Sequence, residues 1–197
     1  MPRMTISLEE AQNLSENKSG INLDITSGLT ADIASLLIKT EGHLSLNKLT
    51  LLRDDVAEIL ASFPNELQLG GAVLTASHQA IEKLVQHRGP KLSIQRLSVM
   101  DLTYAKHLSK HVGNLSISCR KADELTEDVL IELASHQGDL CIFQTLELTE
   151  ASIKAFLKHK GDLMLPLVSN MNENIAKQFK KHDGPVSLPG RMMYVSY

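Results

Sequence analysis

Tryptophan is absent from this chain of 197 residues, and aromatic residues make up only 4% of it. A core here must therefore be built from Leu, Ile, Val and Ala. The two cysteines, Cys119 and Cys141, are too few for a disulfide framework or a four-ligand metal site. Charge of one sign is also lacking. Twenty Lys and Arg stand against 23 Asp and Glu, interspersed, for a net charge of −3. No positive field collects phosphates, so nucleic acid is not an expected partner. Nowhere do about 18 apolar residues run together, and Glu9 and Glu10 stand where an export signal needs an apolar stretch. Neither export nor membrane insertion is expected, and a reducing, cytoplasmic setting is. No P-loop, dinucleotide-binding glycine fingerprint, zinc-protease helix, Cys-x-x-Cys pair or nucleophile elbow occurs. No catalytic, cofactor-binding or metal-binding residue is assigned, and an enzyme is not expected.

What the chain does have is a repeat. A Leu-x-Leu pattern recurs at Leu23/Ile25, Leu44/Leu46, Leu67/Leu69, Leu92/Ile94, Leu115/Ile117, Leu140/Ile142, Leu163/Leu165 and Val186/Leu188, with spacings of 21, 23, 25, 23, 25, 23 and 23 residues. A glycine precedes most copies: Gly42, Gly89, Gly113, Gly138, Gly161 and Gly184. Each copy is followed by a polar residue and then a stretch with helical spacing. In the clearest, Thr149 is placed to cap a helix, Glu150 lies where the dipole favours an acid, and Ile153, Phe156 and Leu157 share one face. Gly161 is expected to stop that helix in a left-handed conformation. Equivalent starts are expected at Ser7, Thr30, Thr75, Thr126 and Asn172, with two more near Asp54 and Asp101, and Ser7 with Glu10 fits a capping box.

Each unit reads as a short strand, a turn, a helix of about ten residues and a glycine. Such a unit buries its apolar side only against a neighbour, so the expected fold is α/β, one repeat domain over 1–197. Residues 5–19 form a helical half-repeat that caps it. Residues 20–183 hold seven strand-helix repeats, and 184–197 form a terminal strand and cap.

The pattern resembles the leucine-rich repeat family over nearly the whole chain. Leu44, Leu46, Leu49 and Leu51 keep the spacing of its L-x-L-x-x-N-x-L motif, as do Leu92, Ile94, Leu97 and Val99. Leu49 and Leu97 stand where the family usually has Asn, which points to a divergent, bacterial-type class without an asparagine ladder. The resemblance implies a right-handed solenoid, with a parallel sheet on one side and helices on the other, and a role as a binding scaffold.

Five histidines, His87, His111, His136, His159 and His182, each stand two residues before a repeat's glycine. Stacking should hold them parallel at about 5 to 10 Å, too far apart to converge on one ion. They are expected to interact with the last carbonyls of their own helices. Alternation turns Cys141 to the open face, while Cys119 is offset by three positions, or about 10 Å. Two free thiols follow.

The residues flanking the buried positions line the open face. Its central column runs Asp24, Ser45, Gln68, Ser93, Ser116, Cys141, Met164, Ser187, between one through Glu66, Lys91, Asn114, Asp139 and Asp162 and another from Thr26 through Gln95, Phe143 and Pro166. Cys141, Phe143, Met164 and Pro166, flanked by Asp139 and Asp162, form a candidate site for a protein partner. The chain's last residues, among them Met192, Met193, Tyr194, Val195 and Tyr197, are expected to cap the core or cover that patch. A different outcome is an open end that joins a second copy. The expected function is a non-catalytic interaction scaffold, and the alternative is a self-assembling structural module.

Overall fold

Short aliphatic pairs make poor helices alone but pair readily edge to edge, and here those from Leu44/Leu46 to Val186/Leu188 find parallel neighbours. A computed structural model describes residues 6–23, 28–70, 74–189 and the backbone of 191–193. The chain begins with α1 (Leu8–Ser15) and then alternates: β1 (Ile21–Asn22), α2 (Ala31–Leu37), β2 (Leu44–Leu46), β3 (Leu51–Leu52), α3 (Asp54–Ala61), β4 (Leu67–Leu69), β5 (Thr75–Ala76), α4 (His78–Leu84), β6 (Lys91–Leu97), α5 (Leu102–Leu108). It continues through β7 (Asn114–Cys119), α6 (Glu127–Leu133), β8 (Leu140–Ile142), α7 (Glu150–Phe156), β9 (Leu163–Met164), α8 (Glu173–Phe179), β10 (Val186–Leu188) and β11 (Arg191–Met193).

The main sheet has the order β1-β2-β4-β6-β7-β8-β9-β10-β11. Its first eight strands are parallel throughout, and β11 adds to β10 in the antiparallel sense. Each helix packs on the next, from α1 on α2 to α7 on α8. The architecture is thus α/β, an eight-strand parallel sheet with eight helices among the described residues. The Leu, Ile and Val of successive strands and the inner faces of the helices make one continuous buried cluster. A second ladder joins β3 to β5, with bridges at Leu74/Leu97 and Leu146/Val168. Leu49 and Leu97, which stand where the leucine-rich motif has asparagine, are both buried, and Leu97 bridges to Leu74.

Several local expectations change. Ile21, not Leu23, lies opposite Leu44, so the first spacing is 23 residues, like most of the others. The alternation of Ile21, Leu23 and Ile25 allows either register, and pairing selects the one that buries Ile21. The helices span seven or eight residues, shorter than expected. Ser77, not Thr75, caps α4, because Thr75 is taken up by β5. Thr126 stands at the start of α6 without a side-chain cap bond, whereas Thr30, Asp101, Thr149 and Asn172 make theirs. Ser7 and Glu10 form the expected capping box. Gly161 is not in the left-handed region, which among the described glycines is occupied by Gly20, Gly70 and Gly113. The α7 helix already ends at Phe156. What Gly161 supplies is room, since a Cβ there would lie 2.3 Å from the carbonyl oxygen of Gly138 in the preceding unit.

Candidate interaction face

The strand side chains that point away from the helices form the open face. Register places Cys141 between Ser116 of β7 and Met164 of β9. Asp139 and Asp162 precede β8 and β9, while Phe143 follows β8. Phe143 and Met164 are 46% and 42% exposed, large apolar groups left half in water. A concavity of about 480 Å³ over these strands is lined by Lys91, Ser116, Asp139, Cys141, Phe143, Asp162 and Met164, among others. A neighbouring one of about 380 Å³ runs toward Glu66, Gln68 and Gln95, and Phe143 borders both. Of the six candidate residues, Asp139, Cys141, Phe143, Asp162 and Met164 thus border one concavity. Pro166, half-buried after β9, is not part of its wall.

The acidic flank is tied to the backbone. Asn114 Oδ1 accepts from Asp139 N at 3.4 Å, and Asp139 Oδ1 accepts from Asp162 N at 2.9 Å, so each side chain holds the start of the next strand. Partial burial, with the charge of Asp139 adding to it, raises the Asp162 carboxyl above its usual range, against the pull of His182. Burial pushes the Cys141 thiol up to about 11, outweighing its bond to Ser116 and the charge of Lys91. A thiol that stays protonated at neutral pH is a poor nucleophile. Cys119 is pushed to about 11 by burial and then by Glu124, and its thiol donates to the Lys121 carbonyl at 2.9 Å. Both cysteines are free.

Toward the first strands the face is less solvated than its composition suggests. Ser45, Ser93, Ser116 and Ser118 are buried. Gln95 lies across three of them: its Nε2 donates to Ser93 Oγ at 3.0 Å and to Ser116 Oγ at 3.3 Å, and its Oε1 accepts from Ser118 Oγ at 2.9 Å. Short hydroxyls between long neighbours are shielded, and the network meets the bonding needs of Ser93, Ser116 and Ser118, while Ser45 Oγ is buried with no hydrogen-bond partner. Asp24 and Thr26 lie outside the described residues, as do Ile25, Tyr194, Val195 and Tyr197. Asn22, not Asp24, stands beside Ser45. Of the terminal segment, the backbone of 191–193 continues the sheet beside β10.

Sequence reasoning placed the histidines correctly in a parallel stack but gave them the wrong partners. All five rings are buried. Their centroids follow one another at 5.8, 6.2, 6.3 and 6.1 Å, with interplanar angles of 22° or less. Four of them bond to the unit before their own helix rather than to that helix's end. His87 Nε2 meets Asn65 O at 2.9 Å and His136 Nε2 meets Gly113 O at 2.8 Å, both carbonyls just ahead of a strand. His111 Nδ1 meets Val85 O at 3.3 Å and His159 Nδ1 meets Ala134 O at 3.2 Å, and these are the C-cap carbonyls of α4 and α6. His182 Nδ1 meets Gly184 O at 3.1 Å in its own loop. The same column starts earlier with Thr40, whose hydroxyl donates to Asn17 O at 2.6 Å, and Phe63, both buried. The available signal was the recurring His-x-Gly, because a side chain that must reach back one unit requires a glycine beside it to let the loops approach.

The chain matches no family model, and no curated protein sequence matches it.

Proposed function

We propose that the chain is a leucine-rich-repeat-like, right-handed solenoid of the divergent class without an asparagine ladder, and that it works as a non-catalytic scaffold holding a protein partner on its open face. The fold reading is supported by the alternation of parallel strands and helices at a regular spacing and by crossover handedness, which is right-handed for nearly all parallel connections. The partner reading rests on one observation above the others: Phe143 and Met164 stand half-exposed on the wall of one concavity, whose rim also carries Lys91, Asp139 and Asp162. Aromatic and methionine side chains between charged rims are typical anchors of protein interfaces. The protonated thiols and the reducing compartment they suit agree with a cytoplasmic setting. Among the described residues no helix is long and apolar enough to cross a membrane.

The test compares wild type with the Phe143→Ser/Met164→Ser double variant. Affinity purification is expected to recover a partner with wild type only, while the two proteins keep the same thermal midpoint. A large fall in the midpoint would instead mark both side chains as core covered by the chain itself.

A second reading, self-association through the C-terminal end, is favoured by the position of β11 as the last strand of the sheet. The outer edge of such a strand is able to pair with a second copy. Light scattering over a range of concentrations separates the two, with a monomer expected of the scaffold and a dimer or larger species of the self-assembling module.

A further inference from the structure

The buried histidine column has no part in the interaction face, yet it ties five successive units together. We propose that the stack of His87, His111, His136 and His159, continued by the ring of His182, is an acid-sensitive latch, in which those four rings hold the C-terminal units together while neutral and loosen them when protonated.

The geometry carries this. Each ring donates one N–H to a backbone carbonyl, and in four of the five that carbonyl belongs to the preceding unit. The other ring nitrogen of each, Nδ1 in His87 and His136 and Nε2 in His111, His159 and His182, is buried with no hydrogen-bond partner. A neutral imidazole tolerates this, because that nitrogen carries only a lone pair. A second proton creates a buried cation about 6 Å from the next ring in the column, and the backbone of Ser109 near His136 and of His136 near His159 favours it less than burial opposes it.

The charged groups around the column do little to offset that. Asp139 favours protonation of His159, and His182 and Asp162 interact. Neighbouring rings oppose protonation of His111, His136 and His159. Arg88, Lys110, Lys158, Lys160, Lys181 and Asp183, which flank the histidines in sequence, are exposed and directed to solvent.

Burial holds His87, His111, His136 and His159 below the ordinary 6.5, against the opposing pull of their backbone bonds. Well above pH 6.5, at about pH 8, neither folded nor unfolded chain carries these protons to any extent. Below it the unfolded chain takes up protons that the folded column refuses, so stability falls as pH falls from there. The loss is one-sided along the molecule, because Thr40 and Phe63 occupy the same column in the earlier units and do not titrate in this range.

Hydrogen exchange by mass spectrometry at about pH 7.5 and about pH 5.5, corrected for intrinsic exchange rates, tests the proposal. Carboxylates remain largely ionised at the lower value. Protection in α5 to α8 is expected to drop by about tenfold or more, with α2 and α3 unchanged. Equal protection at both pH values, or an equal loss in both halves, overturns it. In His136→Gln, a neutral amide able to donate to Gly113 O, the acid loss around α5 to α7 is expected to shrink; an undiminished loss also overturns it. Should that variant not fold, NMR titration of the wild-type rings decides. A midpoint at or above 6.5 for His87, His111, His136 or His159 overturns the latch.

Discussion

At the scale of single residues, the glycine two positions after His87, His136 and His159 is a matter of clearance. A Cβ on Gly138 would stand 2.2 Å from the carbonyl oxygen of Gly113, the same carbonyl that receives His136. Backbone cannot swing aside as a flexible side chain can, so Gly138→Ala is expected to cost about 1–3 kcal/mol, the usual range for overpacking. Gly28 has nothing within 4 Å of where its Cβ would sit. Gly28→Ala is therefore expected to change stability by less than about 0.5 kcal/mol. Urea denaturation of the two variants beside wild type measures both. Burial first, and then the charge of a neighbouring ring, disfavours protonation of His111, His136 and His159. Two imidazolium rings about 6 Å apart repel by about 3 kcal/mol at an effective dielectric constant of about 20. The His-x-Gly recurrence was visible along the chain. That the rings point into the preceding unit was not, because only stacking supplies the carbonyls they meet.

At the scale of elements, the helices are short and depend on their ends. A helix of seven or eight residues has few internal bonds, so capping and packing hold it together. Ser7 and Glu10 exchange both bonds of a capping box at the start of α1, which packs on α2. Ser7→Ala is expected to lose about 1 kcal/mol of local stability, read as faster amide exchange in α1 with the later helices unaffected. The caps at Ser7, Thr30, Asp101, Thr149 and Asn172 were legible because a capping side chain and its target lie within one turn. The start of α4 was missed for a nonlocal reason. Thr75 is as good a cap as Ser77 in sequence, but its backbone bonds to Thr50 across the second ladder. Helix length was overestimated because apolar spacing continues past the point where the chain must turn back toward the sheet.

At the scale of the whole molecule, each helix packs on the next and each main-sheet strand pairs with its neighbours, and the buried aliphatic cluster joins them. Leu140 stands mid-sheet between Leu115 and Leu163 and is buried. Leu140→Ala is expected to cost about 2–5 kcal/mol by chemical denaturation, since the cavity it leaves is walled by two strands that cannot close in. Of the candidate face, the columns of side chains followed from alternation alone, and Asp139, Cys141, Phe143, Asp162 and Met164 do share one concavity. The shielding of the serines by Gln95 did not follow, because it depends on side chains reaching across strands that are 21 to 23 residues apart.

Period, polarity and most of the caps are local properties, and the amino-acid sequence alone determined them: a strand-helix unit of about 23 residues, an aliphatic interior and an outward-facing row of mostly polar positions that also holds Phe143 and Met164. The register of β1, the burial of the histidines and the reason for the glycines were decided only in the tertiary structure. Each depends on an atom of the neighbouring unit, about one repeat away along the chain, which becomes a contact only once the strands have paired.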